Sequence, residues 1–67
     1  MTRQAQRFRV RYFGLSGTLH DVEISTWDIA TAIRVAREAQ WPASAIGFRL
    51  VDVEGREVFE QLKSDLL

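Results

Sequence analysis

The sequence predicts a small α+β protein in which four strands form one sheet and one helix packs on one face of it. Two segments near the N-terminus alternate apolar and polar residues, as half-buried strands do. An alanine-rich segment behind a capping pattern follows, and a second pair of alternating segments comes last. The element order is therefore strand, strand, helix, strand, strand (ββαββ). Connection rules favour the strand order 2-1-4-3, with strands 1 and 4 central and parallel.

The first two strands are predicted to form a hairpin over residues 7–13 and 18–25. A three-residue loop, Leu15-Ser16-Gly17, with Gly17 in the left-handed conformation, would close it. This closure places three pairs on the inner face: Phe8–Ile24, Val10–Val22 and Tyr12–His20. On the outer face it places Arg9 opposite Glu23 and Arg11 opposite Asp21, which are favourable cross-strand pairs. One register therefore satisfies both faces of the hairpin.

Arginines at every second position of the first strand raise the question of a phosphate-binding surface. Arg7, Arg9 and Arg11 share one face, and Tyr12 or Phe13 would be available to stack on bases. The nine basic and nine acidic residues balance, however, and carboxylates are expected beside two of the three arginines. We interpret the Arg7, Arg9, Arg11 face as the solvated side of a strand. Nucleic-acid binding through it is the alternative function.

The helix is predicted to span about fourteen residues from Ser25 or Thr26 to near Gln40. Ser25 would be the N-cap, with Asp28 three residues later beside the positive end of the helix dipole. Pro42 disfavours helical geometry at the residue before it, which ends the helix. The apolar residues fall on one face at helical spacing: Ile29, Ala32, Ile33, Val35, Ala36 and Ala39.

The last third of the chain reads as a second hairpin. Ile46, Phe48 and Leu50 alternate inward, a turn lies around Glu54-Gly55, and a strand runs from about 56 to 62. The last strand is ambiguous, because neither of its faces is cleanly apolar. We expect a bulge or partial cover by the C-terminus, and we favour the Val58/Leu62 face for the core over the Phe59 face.

The pattern resembles the ubiquitin-like β-grasp over residues 7 to about 60. The resemblance includes the hairpin "RFRVRYF" and "TLHDVEIS", the capped helix "STWDIATAIRVAREA", the following "WPAS", and "FRLVDVEGREV". It implies a minimal β-grasp-like fold. The chain ends before the family's usual final strand and has no C-terminal diglycine, so conjugation chemistry is not implied. The "RYF" strand and the "VDVEGREV" hairpin also resemble small bacterial proteins of unknown function.

Composition limits the chemistry. Sixty-seven residues predict one domain, 1–67, with an ordered core of about 7–62 and loose ends. There is no cysteine and one histidine, His20, which we expect to be semi-buried opposite Tyr12. Ser16 and Ser25 are better explained as a turn residue and a helix cap than as nucleophiles, and the sequence has neither a phosphate-binding glycine pattern nor a calcium loop. We therefore expect no enzyme, cofactor, metal or small-molecule substrate. Lacking a signal peptide or membrane-spanning run, the protein is expected to be cytoplasmic, without a membrane partner.

The tryptophans point to the class of function that remains. Trp41 is expected to fold over the core beside Pro42, whereas Trp27 either staples the helix entry or is exposed. An exposed tryptophan suggests a protein partner, since aromatic residues are enriched at interface hot spots. The sequence therefore predicts a non-catalytic protein–protein interaction or adaptor module, with a second copy of the chain as one candidate partner. Trp27, Arg34 and Phe59 are the candidate partner-binding residues.

Overall fold

The structure, a computed structural model, describes residues 5–66. Its elements are β1 (Gln6–Gly14), β2 (Gly17–Thr26), α1 (Ile29–Glu38), β3 (Gly47–Asp52), β4 (Glu57–Leu62) and a 3₁₀ helix, Lys63–Leu66. The α+β class and the ββαββ order are confirmed. Part of the loose ends predicted from the sequence, residues 1–4 and 67, lies outside the described residues. Residues 63–66, which follow the predicted ordered core of about 7–62, form the 3₁₀ helix.

The strands lie in the order β2-β1-β3-β4, so the predicted order 2-1-4-3 is wrong. All neighbouring strands are antiparallel, and the expected parallel central pair does not form. The burial of the two strands agrees with this order, because a central strand is covered by neighbours on both sides. β3 is buried at four of its six positions, whereas β4 is exposed at four of six. Each strand carries three apolar side chains, but β4 carries three polar ones against two on β3, and the strand with more polar side chains lies at the edge.

The predicted register of the first hairpin is confirmed. Phe8 pairs with Ile24, Val10 with Val22 and Tyr12 with His20, while Arg9 and Arg11 face Glu23 and Asp21. The loop differs from the prediction, because Gly14 pairs with Gly17 and two residues close the turn. The register shifts between Tyr12 and Phe13, which leaves Leu19 as the extra residue of a bulge. Gly17 has a φ of 127°, a conformation in which a side chain is strained.

The helix is shorter than predicted and begins later. Ser25 and Thr26 still belong to β2, opposite Arg7 and Gln6. Asp28 is the N-cap instead, and its carboxylate accepts a hydrogen bond of 2.8 Å from the Thr31 amide. Thr26 is buried and its hydroxyl donates to the carbonyl of Asp28. A β-branched residue buried at the end of a strand therefore outweighs the capping pattern that starts at Ser25.

The second hairpin turns at Gly55 as predicted, with a φ of 84°, but its faces are reversed. Phe59, opposite Leu50, points towards the core, whereas Val58 and Leu62 are exposed. A register shift between Leu50 and Val51 supplies the expected bulge. Ile46, predicted to point inward, lies before β3 and is exposed. The predicted Val58/Leu62 core face is therefore wrong.

Aromatic rings and the small residues of α1 form the core. Ala32 and Ala36 are buried and allow the helix to approach the sheet closely, beside Phe48. The Trp41 ring packs edge-on against the Phe48 ring, with 5.5 Å between the ring centroids. It also contacts the Tyr12 ring, with 5.6 Å between the centroids. Other members of the core are Phe8, Val10, Ala45 and Leu50, with Val22, Ile24, Ile33 and Phe59 packed against it. The expected core position of Trp41 is confirmed.

Candidate functional site

The sheet face that α1 leaves open carries basic residues on the central strands and acidic residues on the edge strands. Arg11 on β1 lies opposite Arg49 on β3, and each pairs with acids of the adjacent edge strand. The Arg11 Nε to Asp21 Oδ1 distance is 3.1 Å. The Arg49 Nε lies 3.2 Å from Glu57 Oε1 and 2.9 Å from Glu60 Oε2. Much of the positive charge on this face is therefore balanced locally.

Arg7 and Arg9 lie at the end of this face where fewer carboxylates balance the positive charge. They line an open groove of about 320 Å³ with Arg11, Glu23, Asp52 and the β3–β4 turn. Within residues 5–66 neither Arg7 nor Arg9 forms an ion pair, although Glu23 lies opposite Arg9. The Asp52 carboxylate is engaged by the amides of Glu54 and Arg56. This arginine groove is the feature that the nucleic-acid alternative would use.

The stacking residues of that alternative are placed unfavourably. Tyr12 is buried on the opposite face, and its hydroxyl donates a 2.9 Å hydrogen bond to the Ala36 carbonyl. Burial raises the pKa of the Tyr12 phenol above its ordinary value. Phe13 does lie on the open face, but the Arg49 guanidinium covers its ring, with 4.8 Å from Arg49 Cζ to the ring centroid. Tyr12 is therefore not available to stack on a base.

A second groove runs between α1 and β2 on the helix-covered face. We call it the α1–β2 groove; its lining is mainly apolar, and its volume is about 120 Å³. Val22 and Ile24 of β2 lie in it and are half-buried, and Val35 of α1, also in its lining, is 39% exposed. Its remaining residues are Val10, Tyr12, His20, Ala36, Ala39 and Gln40. This groove adjoins the free edge of the sheet.

The α1–β2 groove follows from the difference in width between one helix and a four-stranded sheet. A helix is about 10 Å wide, whereas four strands spaced about 4.8 Å apart form a wider surface. One helix therefore leaves an outer strand of this sheet partly uncovered, and β2 is an outer strand. Val35 and Ala39 were predicted to face the sheet, and both are exposed beside it. Comparing the width of one helix with that of four strands would have identified them as surface residues.

The three candidate partner-binding residues are not brought together. Trp27 precedes the helix and is 53% exposed, so of its two predicted positions the structure has the exposed one. Arg34 is exposed on α1, whereas Phe59 is half-buried on β4 with its ring 6.1 Å from that of Phe48. Phe59 thus contributes to the core as well as to the surface. Trp27 and Arg34 remain exposed candidates.

His20 lies at the rim of the α1–β2 groove. It pairs with Tyr12 in the sheet as expected, but its side chain is exposed, so the predicted semi-buried environment is wrong. The Tyr12 hydroxyl bonds to Ala36 instead. Among residues 5–66, no three His, Cys, Asp or Glu side chains are arranged to hold a metal ion. No helix in this part of the chain is long and apolar enough to cross a membrane.

No family model, curated protein or solved structure matches the chain. The β-grasp resemblance and the resemblance to small bacterial proteins therefore find no support from relatives. The antiparallel centre of the sheet also departs from the parallel central pair that the connection rules favoured.

Proposed function

We propose that this protein is a non-catalytic module that binds another protein through the α1–β2 groove and the sheet edge beside it. The observation that supports this proposal is the coincidence of half-exposed apolar side chains, Val22, Ile24 and Val35, with a strand edge that no other strand of residues 5–66 pairs with. An apolar groove supplies buried area and a strand edge supplies directional hydrogen bonds. Trp27, exposed just before α1, is a further aromatic candidate for partner contact, although it does not line the groove.

Site-specific photo-cross-linking tests this proposal. A photoreactive amino acid replaces Val35 in the groove or, as a matched control, Val53, an exposed valine in the β3–β4 turn. The full chain is expressed in its own organism and irradiated. We expect a discrete protein adduct from position 35 and none of that mass from position 53. Equal adducts at the two positions, or none at either, would contradict the proposal.

An Ala39→Arg variant makes the test specific to the groove. Ala39 is exposed at the C-cap of α1 and lines the groove, so a long side chain obstructs the site without entering the core. We expect the adduct from position 35 to be lost while the melting temperature stays unchanged. An adduct that persists in this variant would place the binding surface elsewhere.

Nucleic-acid binding through the arginine groove is the second candidate, favoured by Arg7 and Arg9, which form no ion pair within residues 5–66. The balanced charges around Arg11 and Arg49 oppose it, because each carboxylate weakens the field that attracts a polyanion. Titration with short single- and double-stranded nucleic acids at roughly 50 and 200 mM salt separates the two functions. Binding that weakens steeply with salt and is lost in a folded Arg7/Arg9/Arg11 triple alanine variant would favour this candidate. We expect no such binding.

A further inference from the structure

We propose that the partner adds an extended strand to the free edge of β2, and that this strand alternates apolar with basic residues. This inference rests on the proposed function and specifies how the partner binds and what its chemistry is. Three features of β2 lead to it: an edge that is open and regular, apolar side chains on one face, and acidic side chains on the other.

The edge of β2 is long, and the one register shift in its pairing, at Leu19, lies beside the turn and leaves residues 20–26 regular. β2 has ten residues, contains neither lysine nor proline, and pairs with β1 without a register shift from Thr26 to His20. Native proteins commonly blunt such edges with lysine, proline, a bulge or a short strand. The other edge, β4, has six residues and a register shift, and a 3₁₀ helix follows it directly. β2 is therefore the edge suited to accept another strand.

The inner face of β2 supplies sites for apolar side chains. Val22 and Ile24 alternate along this face and are only half-buried. An added strand places side chains directly beside them, in the α1–β2 groove that Val35 and Ala39 flank. Every second residue of the partner strand therefore enters an apolar site.

The outer face of β2 supplies the charge. Asp21 and Glu23 alternate with Val22, and Glu23 forms no ion pair within the described part of the chain. β1 already presents the complement of this pattern, with Arg9, Val10 and Arg11 opposite Glu23, Val22 and Asp21. A strand on the other side of β2 meets the same side chains. Basic residues at alternate positions are therefore the complement that this edge selects.

The same charges disfavour a second copy of this chain at the β2 edge. When two β2 strands pair antiparallel with like faces together, the central registers set Asp21 against Asp21 or against Glu23. Like charges directly opposite each other destabilise a strand pair. A different protein segment carrying lysine or arginine has no such repulsion, and it is the occupant that we infer.

A peptide with the sequence of residues 7–13, RFRVRYF, acetylated and amidated, is a direct probe. It is titrated into the isotope-labelled full chain and followed by amide chemical shifts and hydrogen exchange. We expect shifts centred on β2, and slower exchange of those β2 amides that point away from β1. A control peptide, EFEVEYF, keeps the apolar positions and reverses the charges. We expect it not to bind.

Two charge-reversal variants test the assignment to the β2 edge. Glu23→Lys places a repelling charge on β2, and we expect it to weaken peptide binding by about fivefold or more. Glu57→Lys makes the same charge change on β4, the other edge strand, where Arg49 still has its ion pair with Glu60. We expect this variant to bind the peptide with unchanged affinity. Thermal melts of both variants establish that each is folded.

The possible outcomes separate this inference from the proposed function. Binding that perturbs the groove without slowing exchange along β2 would overturn strand addition while leaving the groove as a protein-binding site. Equal binding by Glu23→Lys, tighter binding of the acidic peptide, perturbation centred on β4, or no peptide binding would also overturn the inference. A dimer held through β2 in solution would replace the inferred occupant with a second copy. The proposed function itself fails when position 35 gives no specific adduct.

Discussion

The two hairpins of the sheet differ in how clearly their sequences separate one face from the other. In β1–β2, apolar and charged residues alternate strictly, so that Val10 meets Val22 and Arg11 meets Asp21. The bulge of β1–β2 lies beside its turn, whereas that of β3–β4 falls within the paired strands, between Leu50 and Val51, and Phe59 rather than Val58 turns towards the core. Alternation defines the register when both strands of a pair follow it. Where one strand mixes acids with apolar residues on both faces, the neighbouring strands and the helix decide its orientation.

The hairpins also differ in where they contribute to stability. β3 is central and carries Phe48 and Leu50, neither of which is accessible to solvent. β2 is an edge strand, and Val22 and Ile24 on its inner face are half-buried. We therefore expect the second hairpin to supply more of the packing energy and the first to supply the exposed surface for a partner.

The largest expected effect is that of Phe48→Ala. The Phe48 ring is fully buried and contacts the rings of Tyr12, Trp41 and Phe59, so its loss should cost about 3–5 kcal/mol. Phe59→Ala should cost less, because that ring is half-exposed on an edge strand. Thermal and chemical denaturation measure both. Equal losses for the two variants would contradict the distinction between a central β3 and an edge β4.

Gly47→Ala tests the close packing where β3 meets both of its neighbours. A Cβ at this position would lie 2.6 Å from the Gln61 carbonyl oxygen of β4 and 2.8 Å from Phe13 Cζ of β1. Overpacking of this kind costs about 1–3 kcal/mol. In a Phe13→Ala background the same substitution should cost less, because one of the two clashes is absent. A single alanine variant as stable as the parent would show that the strands are less closely packed than described.

Tyr12→Phe tests the link between the first hairpin and α1. The phenol hydroxyl donates to the Ala36 carbonyl, which also accepts from the Trp41 indole, so its removal should cost about 0.5–1.5 kcal/mol. Because burial raises the pKa of Tyr12, the unfolded chain ionises first, from about pH 10. The stability that Tyr12 contributes is complete below that pH and falls as the pH rises towards the folded pKa. Denaturation between about pH 8 and 11 should show a flatter decline in the variant; parallel curves would contradict this account.

The smallest expected losses of stability are those of alanine substitutions at two outer-face arginines. One of the two lies on each hairpin, so the two losses allow a direct comparison. Arg49→Ala removes two carboxylate contacts and a cation–π contact, whereas Arg11→Ala removes one ion pair. Exposed pairs contribute about 0–1 kcal/mol each, so Arg49→Ala should cost more than Arg11→Ala. High salt should reduce both losses. The reverse order would indicate that the ion pairs of β3–β4 do not hold the bulged strand in place.

The fold class and the first hairpin were predictable because they follow from the alternation of apolar and polar residues along the chain. The strand order was not, because connection rules leave open which strand of the second hairpin is central. Burial separates the two strands clearly, with Val51 of β3 buried and Glu57 of β4 exposed, but that difference is known only from the structure, because each strand carries three apolar residues. The α1–β2 groove was missed because the helical face was treated as wholly buried, although one helix is too narrow for four strands. Trp27 was identified as a surface candidate because it lies off the apolar stripe.

The central claim is that β2 presents an open strand edge, and amide hydrogen exchange of the full chain tests it most directly. In an antiparallel edge strand, alternate amides bond to the neighbouring strand and the others point outward. We expect alternate amides of β2 to be protected by β1 and those between them to exchange quickly. Amides of the central strands β1 and β3 should be protected throughout. Uniform protection along β2 would show that its edge is already covered and would contradict the account.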